Sequence, residues 1–126
     1  MSKNEIIIFG TGEFAQEIFL YLEKFSKFKV VAFTIHKEFI KDKTLFEKPI
    51  IPFEEIENNY PSNEVSMLIC IGFSKMNKKR EKIFLEVKNK NYKLENFIHP
   101  SNHVWNELEI GENCIILENN VIRPHV

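Results

Sequence analysis

The feature that most constrains this chain is an apolar run ending in a pair of glycines. Glu5-Ile-Ile-Ile-Phe9 is continuous and β-branched, the pattern of a strand buried on both faces. Gly10-Thr-Gly12 follows, and the period then changes: Ala15, Ile18, Phe19, Leu22 and Phe25 fall at helical spacing, with Glu13, Gln16, Glu17, Glu23 and Lys24 on the polar face. Lys29-Val-Val-Ala-Phe-Thr34 is a second buried-strand run. Strand, glycine turn, helix and strand in this order predict a right-handed βαβ crossover and a parallel sheet.

The next segment is less patterned. Residues 36 to 48 are polar without a clear period, Pro49-Ile-Ile-Pro52 allows a short strand, and Phe53 to Glu57 a brief helix. Val65-Ser-Met-Leu-Ile-Cys-Ile71 reads as another buried strand, Asn77 to Lys90 as a helix carrying Ile83, Phe84 and Val87 on one face, and Leu94 to Ile98 as a closing strand. The expected class is therefore α/β, a small Rossmann-like parallel-sheet domain over residues 1–98. Beyond it the period becomes six: Ile98, Val104, Ile110, Ile116 and Ile122 recur at that interval, with Gly111-Glu-Asn113 and Glu118-Asn-Asn120 as turns. Six is the hexapeptide period of a β-helix, so residues 99–126 are expected to start the first coil of a left-handed one.

Composition narrows the function classes. A chain of 126 residues, 44% hydrophobic and with 12 Phe, supports one well-filled core. Seventeen basic residues against eighteen acidic ones leave a net charge of -1, without the basic footprint of a nucleic-acid binder. Cys70 and Cys114 lie in apolar runs and read as small buried hydrophobes rather than a disulfide framework. The apolar runs are far below the roughly 20 residues that span a bilayer, and the N-terminus lacks a signal-peptide pattern. A cytoplasmic protein with neither nucleic-acid nor membrane partner is expected.

Gly10-Thr11-Gly12-Glu-Phe-Ala15 matches G-x-G-x-x-A between a strand and a helix, the context in which backbone and helix N-terminus meet a phosphate. The competing reading is that the glycines only shape the turn. A dinucleotide site wants an acid at the end of the second strand, where this chain has Thr34-Ile-His36 and no acid before Glu38; this counts against an NAD-linked oxidoreductase. His36 is a candidate nucleoside contact or a solvated loop histidine. Gly72-Phe73 follows the strand ending at Ile71 and so faces the same crevice, with Asn77 and Arg80 opening the next helix; a phosphate or base contact competes there with helix capping and solvation. His125 follows Pro124 with no acidic orienter beside it, and His99 and His103 read as structural. No metal-ligand spacing occurs, so neither a metal site nor a catalytic residue is assigned.

The combination of Phe9-Gly-Thr-Gly12, Ile71-Gly72 with Asn77 and Arg80, Phe97-Ile-His-Pro100, and Ile110-Gly-Glu-Asn113 leading to Asn119-Asn-Val-Ile-Arg-Pro124 resembles the sugar O-acyltransferase family. That family includes sialic acid O-acetyltransferase-like enzymes and UDP-amino-sugar N-acetyltransferases. The resemblance implies an N-terminal domain that holds a nucleotide-sugar, UDP-linked above others, and a trimeric left-handed β-helix that binds acetyl-CoA and carries a histidine base on a later coil. The function it implies is acetyl transfer in bacterial surface-glycan synthesis. The catalytic coils are expected beyond residue 126, leaving these residues inactive alone, without bound acetyl-CoA, and monomeric or weakly dimeric. A non-catalytic nucleotide-sensing or assembly module is the alternative of a different class.

Overall fold

The computed structural model describes residues 4–71, 77–98, 115–117 and 120–122. Strand β1 (Glu5–Phe9) leads through the glycine turn into helix α1 (Glu13–Phe25), and β2 (Lys29–Ile35) returns parallel to β1. A short hairpin follows, β3 (Thr44–Leu45) and β4 (Lys48–Pro52), with β4 parallel to β2. A 3-10 turn (Phe53–Glu55) and the single-turn helix α2 (Ile56–Asn59) lead to β5 (Ser66–Ile69), then helix α3 (Asn77–Asn89) and β6 (Lys93–Leu94). The sheet order is β3-β4-β2-β1-β5-β6, parallel except for β3 at its edge. The chain thus builds outward from β1 to β4, crosses back, and builds outward through β5 to β6. The reversal falls between β1 and β5, which makes the carboxyl ends of those strands the topological switch point.

Both faces of the sheet are covered, and the period of two along each strand decides which residue goes where. Ile6 and Ile8 point toward α1 and pack with Ala15, Ile18, Phe19, Leu22, Val30, Phe33 and Leu68. Ile7 and Phe9 point the other way, to Ala32, Met67, Ile69, Phe53, Ile56 and the α3 residues Ile83 and Val87. In β2 the alternation slips by one. Ile6 pairs with Val30 but Ile7 with Ala32, so Val31 is the extra residue of a β-bulge, and Val30 and Phe33 reach the same face despite their odd spacing. Each fully buried Ile or Phe adds about 1.5–3 kcal/mol relative to an exposed one.

One expectation is corrected here. The run from Leu94 to Ile98 is not one strand. Leu94 ends β6, the Glu95 N–H donates to the Met67 carbonyl at 3.0 Å, and the chain then leaves this sheet. Phe97–Ile98 is a separate strand, β7, in a three-stranded sheet with β8 (Ile115–Leu117) and β9 (Asn120–Ile122). In that sheet Phe97 pairs parallel with Ile115 and Ile98 with Ile116, an offset of 18 residues and so three six-residue units. β9, however, runs antiparallel to β8, with Ile115 opposite Ile122. Most of residues 99–126, on which the expected first coil falls, lies outside the described residues.

Candidate functional site

The switch point opens as a cleft of about 1240 Å³. Its floor is the end of β1 and the turn Gly10–Gly12; the first turns of α1, Ile35 and His36 at the end of β2, Ile71 after β5, and Ile83 of α3 form its walls. Phe39, Lys41, Asp42, Thr44 and Leu45, before and within the β3–β4 hairpin, complete it.

Gly10 and Gly12 differ in what they do. Gly10 has φ +130°, and a Cβ there would lie 2.5 Å from the Cys70 carbonyl oxygen. Its N–H donates to the Thr34 carbonyl at 2.9 Å while the Cys70 N–H donates to the Phe9 carbonyl at 2.8 Å, so the end of β1 is fastened to both neighbouring strands. Only glycine fits such a place. Gly12, by contrast, is exposed, has φ -80° and ψ -169°, and among the described residues a Cβ there would have no atom within 4 Å. No described neighbour requires a glycine at this position, and its backbone is open to the approach of another molecule.

Gly12 is also the N-cap of α1, and no side chain caps that end. The first intrahelical bond runs from the Gln16 N–H to the Gly12 carbonyl, so the amides ahead of it have no helical partner. The Gln16 Nε2 donates to the Thr11 carbonyl at 3.1 Å and holds the turn from its far side. Of the charged side chains described around the cleft, Glu13, Glu17 and Asp42 are acidic and Lys41 is basic.

Among the residues singled out from sequence, Gly10, Thr11, Gly12 and His36 line this cleft. Thr34 does not. It is fully buried in β2, and its hydroxyl donates to the Ile51 carbonyl of β4 at 2.6 Å, so it serves the sheet rather than a ligand. Gly72 and Phe73 lie outside the described residues, as do the side chains of Asn77 and Arg80, whose backbone forms the first turn of α3. His99, His103, Cys114 and His125 also lie outside them.

His36 is not a solvated loop residue. Its ring meets Phe9 and Phe53 edge to face, at centroid distances of 5.6 and 5.5 Å. Its Nε2 lies 2.7 Å from Glu86 Oε1 on α3. Next to it, desolvation works to raise the Glu54 carboxyl, but hydrogen bonds from the Lys37 and Glu54 amides and the nearby His36 hold it below its ordinary range. Cys70 borders the cleft too, but burial pushes its thiol far up, away from the thiolate a nucleophile needs. The sequence reading missed Lys41, Asp42 and Glu86. Charge alone marked them, and charge is what any solvated loop or helix face shows.

No protein-family model and no curated protein matches this sequence. Solved structures do match in fold. The acetyltransferase domain of PglB from Neisseria gonorrhoeae, in complex with acetyl coenzyme A, superposes with a TM-score of 0.71 at 15% identity, over 90% of this chain and 53% of that one. Perosamine N-acetyltransferase PerB from Caulobacter crescentus, in complex with CoA and GDP-perosamine, gives 0.71 at 21% identity, over 90% of this chain and 51% of that one. Among the described residues no helix is long and apolar enough to cross a membrane. The chain has the α/β fold found in these sugar acetyltransferases and spans about half the length of each.

Proposed function

We propose that this chain is the acceptor-binding part of an acetyl-CoA-dependent sugar O- or N-acetyltransferase of bacterial surface-glycan synthesis. The acceptor is a nucleotide-sugar, UDP-linked, held by its nucleotide at the switch-point cleft. The observation that carries this is Gly12: a glycine that no described neighbour requires, at a helix N-terminus with no side-chain cap, on the floor of the cleft. Free amides and the positive end of the helix dipole suit a diphosphate. The acidic lining at Glu13, Glu17 and Asp42 leaves the backbone and Lys41 as the described groups that attract one. Arg80, Asn77, Gly72 and Phe73 remain assigned to the same ligand on the strength of their place in the sequence after β5.

Transfer itself is assigned to coils beyond residue 126, with residues 99–126 leading into them. There a base takes the proton from the acceptor amine or hydroxyl as it attacks the thioester carbonyl. A backbone N–H holds the oxyanion, and CoA leaves as its thiol once protonated. The alignments over half of two acetyltransferase chains, crystallised with acetyl coenzyme A or with CoA and GDP-perosamine, support this division.

The test is calorimetric titration of the 126-residue chain with a UDP-amino-sugar, a GDP-amino-sugar, UDP, CMP and NADH, on wild type, Gly12→Ala and Arg80→Ala. Saturable nucleotide-sugar binding, weakened at least about tenfold by Gly12→Ala with unchanged melting, is expected. Absence of binding by any nucleotide would refute acceptor binding by this chain and favour an assembly module; preferential NADH binding would favour an oxidoreductase.

A further inference from the structure

A dinucleotide fold places an acid at the end of its second strand to take the ribose hydroxyls. Here that place holds His36, immediately after β2 and on the wall of the cleft. The acid is present, one residue removed in space: Glu86 Oε1, from α3, lies 2.7 Å from His36 Nε2. We infer that Glu86 fixes the neutral form of His36 as the Nε2–H tautomer, so that in that form Nδ1 presents a lone pair to a ribose hydroxyl of the nucleotide in the cleft. This rests on the nucleotide-binding reading above and extends it to a positioning residue and to the part of the ligand that it serves.

The chemistry follows from donor and acceptor counts. An ionised carboxylate only accepts hydrogen bonds, so the nitrogen facing it carries the proton, and in the neutral ring the other nitrogen is an acceptor. The ring cannot turn freely to exchange the two, because Phe9 and Phe53 hold its faces and edge at 5.6 and 5.5 Å. Among the described residues Nδ1 has no hydrogen-bond partner. What it offers the cleft is an acceptor backed by negative charge. A phosphate, itself only an acceptor, gains nothing from such a group, whereas a hydroxyl can donate to it. A sugar hydroxyl one ribose away from a diphosphate seated at Gly12 meets that requirement.

Two measurements on the full chain test this. Long-range proton–nitrogen NMR of the unliganded protein is expected to find the His36 proton on Nε2, and Glu86→Gln to shift the population toward Nδ1–H. Calorimetry with UDP and 2′,3′-dideoxy-UDP is expected to show a preference of about 3–10-fold for the ribose form, the worth of one hydrogen bond. Glu86→Gln and His36→Gln, which keeps a polar end toward Glu86 but no group at Nδ1, should bring that ratio to about one. His36→Asn, whose amide falls near Nδ1, should keep part of the preference and no longer respond to Glu86→Gln. An Nδ1–H tautomer in wild type, or a ratio that is unity in wild type or unchanged in Glu86→Gln, would overturn the inference while UDP binding itself stood. Failure of wild type to bind UDP at all would instead sink the nucleotide reading, and this inference with it.

Discussion

Two alanines placed two residues apart should behave as opposites. At Gly10 the φ of +130° is closed to an L side chain, and the added Cβ would sit 2.5 Å from the Cys70 oxygen and 3.2 Å from its carbonyl carbon. Both are backbone atoms of the neighbouring strand segment, whose N–H is bonded to Phe9 at 2.8 Å, so relief requires opening the β1–β5 ladder. Backbone strain of about 1–3 kcal/mol and overpacking of about 1–3 kcal/mol are offset by about 0.4–1 kcal/mol from the stiffer unfolded chain. The net is a loss of about 1–5.6 kcal/mol, a large share of the 5–15 kcal/mol that a domain has. At Gly12 the backbone is in a region open to any residue and the new methyl meets no described atom within 4 Å. A few tenths of a kcal/mol lost at the N-cap nearly cancel the same unfolded-state gain, so stability should move by less than about 0.5 kcal/mol. Urea unfolding followed by circular dichroism measures both. A Gly10→Ala chain within about 1 kcal/mol of wild type would refute the steric argument, and a Gly12→Ala chain as destabilised as Gly10→Ala would show that both glycines serve the turn.

Two more outcomes follow from the coordinates. Phe46 and Glu47 form the two-residue β3–β4 connection with φ of 52° and 66°, a turn that prefers Asn-Gly; Glu47→Gly should raise stability by about 0.5–1 kcal/mol, the left-handed strain less glycine's entropy, and a lower urea midpoint would contradict it. Phe46 is the wrong place for that relief, because its ring stacks on Phe19 at 4.7 Å. Tyr92 is buried, donates its hydroxyl to the Tyr60 carbonyl, and burial with the nearby Glu57 charge pushes its pKa from 10.0 up to about 12. Because the folded state favours the protonated phenol, its contribution is intact below pH 10 and declines from there up to about 12, at no more than about 1.4 kcal/mol per pH unit. Tyr92→Phe should flatten that part of the stability–pH curve, and an unchanged slope would assign it to another group.

What the sequence disclosed and what it withheld separate along one physical line. Ile6 to Phe9, Ala15 to Leu22 and Met67 to Ile69 reveal their elements because burial on a strand or helix repeats locally, and local repetition is what a sequence displays. The same reasoning placed Gly10 and Gly12 together, since a strand-to-helix turn is also local, but it could not tell them apart. Their difference lies in the Cys70 oxygen, sixty residues further along and brought close only by the parallel pairing of β1 and β5. Thr34 misled for a related reason. A threonine at a strand end looks like a ligand contact until the register puts it beside Ile51 and its hydroxyl finds that carbonyl. The β3–β4 hairpin was hidden because Phe-Glu is not a turn signature, and with it went the approach of Lys41 and Asp42 to the cleft. His36 is the sharpest instance: as a loop residue it carries no more information than any histidine, and its contact with Glu86, fifty positions away, is made only by the fold. The contacts that sequence periodicity cannot encode in this cleft are therefore those between segments whose only relation is their place at the switch point of the sheet.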